Sequence, residues 1–123
     1  MRPGGRKPAA HDLADGSGVK VGVIADGLDI NNPDLQRNGR SVVSDYQDFS
    51  GYGNDAPTDG EEAFLDAGSI AAQGNTTYDL SKFVNAAHPL PVPCNIRIEG
   101  VAPGVSLAMF NVLMGSSTPL HLT

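Results

Sequence analysis

Three carboxylates in this chain have the type and spacing for chemistry: Asp26, Glu62 and Asp66. Asp26 follows the run Val19-Lys20-Val21-Gly22-Val23-Ile24-Ala25. A carboxylate at the carboxyl end of a parallel strand lies where α/β proteins build their sites. Glu62 and Asp66 stand four residues apart in a predicted helix, so their side chains share one helix face. Paired carboxylates compete for protons, and one member of such a pair can do acid–base work in acid conditions. A plainer role competes with each. Acidic residues suit the first turn of a helix because of its dipole, and an aspartate before Gly27 suits a turn or a helix cap.

The elements that would position these groups follow from periodicity. Val19 to Ala25 is apolar enough for a strand buried on both faces, as parallel sheets require. Asn31-Asn32-Pro33-Asp34 is turn chemistry, and a short strand is expected at Ser41 to Tyr46. Gln47 to Gly60 reads as loop. Glu61 to Gln73 reads as a helix, with Asp59 just before it, Glu61 and Glu62 in its first turn and Gly74 ending it. Ala63, Phe64, Ala67, Ile70 and Ala71 form its apolar stripe, and Glu62, Asp66, Ser69 and Gln73 its polar side. A helical turn is expected near Leu80 to Asn85, an extended piece at Ile96 to Glu99, and a core strand at Ser106 to Leu113. Strand, helix and strand at these separations predict an α/β fold with a parallel sheet, in which Val19–Ala25 and Ser106–Leu113 are neighbours.

Composition narrows the function classes. The chain has 123 residues and a net charge of −6, from 8 Lys and Arg against 14 Asp and Glu. It therefore offers no basic cluster for nucleic acid and no basic stripe for a membrane surface. The single cysteine, Cys94, excludes an internal disulfide and a multi-cysteine zinc site. No apolar run has the length of a membrane span, and the first residues contain no stretch like a signal peptide. Localisation is not assigned.

Three ordered segments carry a family resemblance. They are Gly18 to Asp29 followed by Asn32-Pro33-Asp34-Leu35, then Asp66 to Gly74, then Gly100-Val101-Ala102-Pro103-Gly104-Val105-Ser106-Leu107. Together they resemble the subtilisin-like serine peptidases. That family shows a strand ending in Asp-Ser/Thr-Gly-Ile/Val-Asp before His-Pro-Asp-Leu, then His-Gly-Thr-His-Val-Ala-Gly, then Gly-Val-Ala-Pro-x-Ala-x-Leu. The resemblance implies a three-layer α/β/α fold with a mainly parallel sheet, here incomplete. It also implies endopeptidase chemistry on a peptide or protein substrate. In that chemistry a serine attacks the peptide carbonyl, a base takes its proton, and an oxyanion hole holds the intermediate.

The departures concern the site itself. Ala25 stands at the family's catalytic aspartate, with the carboxylate one place later at Asp26, and Asp66 stands at the catalytic histidine. A one-residue shift in a strand turns a side chain to the other face, unless the strand end bends. The related sedolisins use Glu-x-x-x-Asp on this helix, and Glu62-Ala63-Phe64-Leu65-Asp66 has that spacing. This likeness makes Glu62 a candidate base and Asp66 its orienting partner. Asp34 is similar to a position that holds calcium in some subtilisins; a solvated turn aspartate is the expectation here, with Asp29 also a turn residue.

Several further features are weaker signals. No cofactor is expected. Calcium is the one ion the acidic stretch would suit, since 7 of the 14 acids fall between Asp45 and Asp66, but their spacing is not that of a helix-loop-helix calcium motif. Gly16-Ser17-Gly18 precedes its strand, unlike a dinucleotide fingerprint, and Asn75-Thr76-Thr77 matches a glycosylation sequon. Gly115 to His121 echoes the family's nucleophile helix at too short a spacing and too early in the fold. The expected organisation is a flexible lead-in at 1–18, the amino-terminal half of a peptidase domain at 19–113 and an irregular tail at 114–123. Such a chain stops before the nucleophilic serine and is expected to be inactive alone. The alternative is a non-catalytic remnant or interaction module of α/β fold.

Overall fold

In a computed structural model of the chain, the structure describes residues 13–53, 56–82, 87–90 and 92–112. Its centre is a parallel sheet of β1 (Lys20–Ala25), β4 (Val43–Asp48) and β7 (Ser106–Asn111), in the order β1-β7-β4. The last strand inserts between the first two. β1 and β7 run in register from Lys20 opposite Ser106 to Ala25 opposite Asn111, so the two expected core strands are neighbours. β4 joins β7 with a bulge between Val43 and Asp45 and finishes with Asp48 opposite Asn111. Ala25, Asn111 and Asp48 therefore form one row along the carboxyl edge of the sheet.

The helix α1 (Glu61–Ala71) covers one face of this sheet. Ala63, Ala67 and Ala71 are 0 % exposed and pack with Val23, Ala25, Leu107 and Met109, while Phe64 and Ile70 lie at the margin of the core. Burial of larger core side chains such as Leu28, Leu107 and Met109 contributes about 1.5–3 kcal/mol each. Strand β1 departs from expectation in being buried on one face only. Val23 and Ala25 point under α1, whereas Lys20, Gly22 and Ile24 are exposed, Ile24 by 69 %. A parallel strand is buried on both faces only where a layer covers each, and among the described residues one helix covers one face.

Both ends of α1 are tied to other elements. Its last carbonyls accept from the segment before β7: Val101 N–H donates to Ser69 O, Ala102 N–H to Ile70 O and Gly100 N–H to Ala72 O, at 2.8–3.0 Å. These bonds satisfy acceptors that a helix end leaves open. Gly100 is required there, because a Cβ would lie 2.4 Å from Ala71 N and Ile70 O. The helix ends two residues before expectation, and Gln73 leaves it to donate through Nε2 to Ala71 O and Pro103 O.

Shorter elements complete the described structure. A 3-10 turn at Pro33–Leu35 leads into the two-residue hairpin strands β2 (Gln36–Arg37) and β3 (Arg40–Ser41). β5 (Tyr78–Asp79) pairs antiparallel with β6 (Asn95–Ile96), and a 3-10 turn at Leu80–Lys82 falls where a helical turn was expected. At the end of the expected lead-in, Ser17 and Gly18 make a turn closed by Val19 N–H donating to Gly16 O at 3.0 Å. Asp15 Oδ1 accepts from Ser17 N–H, and Asp15 O accepts from Gly104 N–H at 2.7 Å. The Ser17 hydrogen bonds hold the Asp15 carboxyl below its ordinary pKa. The expected tail at 114–123, with the Gly115–His121 echo, lies outside the described residues.

Candidate active site

The candidate site lies where β1 ends. The strand stops at Ala25, which is buried, and Asp26 lies beyond it in a bend. The bend offsets the one-residue shift. Instead of pointing away from α1, the Asp26 carboxylate reaches its first turn, where Oδ1 accepts the Ala63 N–H at 2.7 Å. Ala63 N–H is one of the donors that a helix start leaves without an intrahelical partner. The N-cap residue, Gly60, has no side chain to satisfy it, so Asp26 supplies the cap from another element.

Two glycines make this approach possible. A Cβ on Gly60 would lie 2.3 Å from Asp26 Cγ and Oδ1, and one on Gly27 would lie 1.5 Å from Pro57 O. Gly60 N–H donates to Gly27 O at 2.8 Å, and Leu28 bridges Asp59, so the loop entering the helix is laid directly on the turn leaving the strand. Tyr46 of β4 supports the same turn, its hydroxyl oxygen accepting from Leu28 N–H at 3.3 Å.

Glu62 is exposed in the first turn of α1, and Asp66 is half-buried one turn on. The peptide N–H bound by Asp26 belongs to the residue after Glu62, so the Asp26 carboxylate lies at the helical turn that carries Glu62. Asp66 is displaced along the axis by about 6 Å, four residues of helical rise. Among the described residues no hydrogen bond links the three carboxyl groups to one another.

A second polar group at this edge had no signal in the sequence. Asn111, 1 % exposed at the end of β7, donates through Nδ2 to Asp48 Oδ1 at 2.7 Å, and Ser50 Oγ donates to the same oxygen at 2.7 Å. The carboxylate fixes the orientation of the amide, because only the NH2 side can donate to it. Its Oδ1 is buried without a hydrogen-bond partner among the described residues.

Other candidates are placed elsewhere. His88 is exposed in a loop, and His11 and His121 lie outside the described residues. Cys94 is half-buried, and its carbonyl accepts from Leu80 N–H. Asn75 uses its side-chain amide to bind Pro33 O and Gln36 O, a structural use that the sequon did not foretell. Asp29 is a turn residue, its Oδ1 accepting from Asn31 N–H. Asp34 departs from the expected solvated turn residue: it is buried, at 6 % exposure, because its side chain is drawn under the segment that follows α1. Among the described residues no three His, Cys, Asp or Glu side chains are grouped to hold a metal ion. No described helix is long and apolar enough to cross a membrane.

A mainly parallel sheet, a covering helix and a carboxylate joining the end of one to the start of the other define an α/β protein whose candidate site lies at the carboxyl edge of the sheet. The model of the subtilase family matches residues 16–123, and the chain belongs to that family of serine peptidases. No curated protein and no solved structure matches it.

Proposed function

We propose that this chain supplies the acid–base groups of a subtilase site in which carboxylates do the work that an imidazole does in the Ser-His-Asp arrangement. Glu62 accepts the proton of the attacking serine hydroxyl and returns it to the leaving amine. Asp66, one turn on along the same helix face, serves as its orienting partner. Asp26 fixes the start of the helix that carries both. The observation that carries this assignment is the Asp26 to Ala63 N–H bond, which puts one acid of the strand end at the turn bearing Glu62. The substrate is a peptide or protein. The sequence contains no Gly-Thr-Ser-x-Ala/Ser-x-Pro segment, so the nucleophile of such a site is not assigned to any of these residues.

The test is a pH–rate profile for peptide hydrolysis by a form of the protein that holds these residues together with a nucleophilic serine segment. The expected activity is already full below neutrality, because the base is a carboxylate rather than an imidazole. Glu62→Gln and Asp66→Asn each lower kcat by about 100-fold or more, the ordinary weight of a general base. Glu61→Gln, an equal charge change in the same turn, leaves kcat in place. A neutral or alkaline optimum that survives Glu62→Gln and is abolished by His88→Ala would refute the carboxylate assignment.

A further inference from the structure

We infer that the Tyr78 hydroxyl and the Thr76 amide take the place of a cation at Asp34, so that the segment from Gln73 to Tyr78 is held by a protein latch that needs no calcium. Asp34 sits in the 3-10 turn at Pro33–Leu35, and both of its carboxylate oxygens are engaged. Oδ1 accepts from Thr76 N–H at 2.7 Å, and Oδ2 accepts from the Tyr78 hydroxyl at 2.7 Å. A buried carboxylate must find either a counter-charge or hydrogen-bond donors, and these two short bonds are donors.

The surrounding oxygens are spent in the same way. Pro33 O and Gln36 O accept from Asn75 Nδ2 at 2.9 and 2.7 Å. Asp34 O accepts from Gln73 N–H at 2.8 Å, and Asn32 Oδ1 from Asp34 N–H at 2.9 Å. Calcium takes six to eight oxygen ligands. At this turn these oxygens accept from N–H and O–H groups of the chain, and among the described residues Asp34 belongs to no group of three His, Cys, Asp or Glu side chains that could hold a metal ion. The residues present do not fit the ion that some subtilisins hold at the corresponding aspartate. Within six residues, Gln73, Thr76 and Tyr78 donate to Asp34 itself and Asn75 to the carbonyls of Pro33 and Gln36 on either side of it, so the segment supplies the donors of this turn. The Tyr78 hydroxyl is held above its ordinary pKa, first by this hydrogen bond to Asp34, then by burial and the carboxylate charge.

The experiment is thermal unfolding of the full chain in excess EDTA and in millimolar calcium chloride, with calcium titrated into the same protein by calorimetry. The expected result is one midpoint in both buffers and no saturable heat. Tyr78→Phe lowers the midpoint by about 5–10 °C through the loss of one donor to a buried carboxylate, by the same amount in either buffer. Saturable calcium binding to the unmodified chain that disappears in Asp34→Asn would overturn the inference. A Tyr78→Phe midpoint equal to that of the unmodified chain would overturn it as well. Neither result depends on peptidase activity, so failure here is distinct from failure of the carboxylate site.

Discussion

Gly60→Ala is the most direct test of the strand-to-helix joint. Its backbone, at φ −64 and ψ 123, is open to alanine. Taken alone, the change would stabilise by about 0.4–1 kcal/mol through the unfolded chain. The new methyl, however, would lie 2.3 Å from the Asp26 carboxylate and 2.5 Å from Gly27 O, about 1 Å inside ordinary contact at 3.4 Å. Relieving such an overlap costs about 1–3 kcal/mol. Displacing Asp26 also removes the cap of Ala63 N–H, worth about 1 kcal/mol. The expected net loss is about 2–3 kcal/mol, or about 8–15 °C in Tm for a chain of this size. Urea unfolding followed by circular dichroism measures it, in the original chain and in an Asp26→Ala background. With the carboxylate gone, Gly60→Ala should cost about 1 kcal/mol less, the coupling expected of groups in contact. It should still cost something, because Gly27 O remains in the way. Equal cost in the two backgrounds, or a gain in stability from Gly60→Ala, would refute the account of Asp26 as the cap of α1.

Two further outcomes follow from the same geometry. Gly27→Ala places a methyl 1.5 Å from Pro57 O, and the loss should be about 3 kcal/mol or more, read as a collapse of the urea midpoint. The Tyr78 latch also gives a pH dependence. A hydroxyl whose pKa is raised in the fold above its ordinary 10.0 contributes stability that is whole below pH 10 and is lost as pH rises through the raised value. The stability difference between the original chain and Tyr78→Phe should therefore shrink above pH 10, by no more than about 1.4 kcal/mol per pH unit. Alkaline melts of the two proteins measure it, and a difference that grows with pH would be inconsistent with the bond to Asp34.

What could be read in the sequence was what is local. β1 and β7 were visible as apolar runs, and α1 was visible from its acidic first turn and its alanine stripe. Asp26 stood out because it sits between a strand and a glycine. The burial of Asp34 was not visible, since its partners Thr76 and Tyr78 lie more than 40 residues along the chain and look like ordinary loop residues. The exposed face of β1 was hidden for a similar reason: an apolar run does not say how many layers will cover it. Asn111 gave no signal, because one polar residue at the end of a strand resembles a solvated one until Asp48 is brought beside it. A helix cap was one of the roles open to Asp26, but the sequence did not show that the helix is α1, because donor and acceptor are 37 residues apart and the local sequence has only a glycine where a capping side chain would be sought.

The alanine stripe of α1 sets a length scale for the whole joint. A helix that rests on Ala63, Ala67 and Ala71 approaches its sheet as closely as residues with a Cβ allow, and the gap at its first turn is correspondingly narrow. Aspartate, with a single methylene, spans that gap from the end of β1; glutamate would overshoot it and valine at position 67 would widen it. The size of three methyl groups thus bears on how far an acid at position 26 must reach. Substitutions in the core, far from any solvent, would be felt as a change in the reach of a carboxylate at the surface.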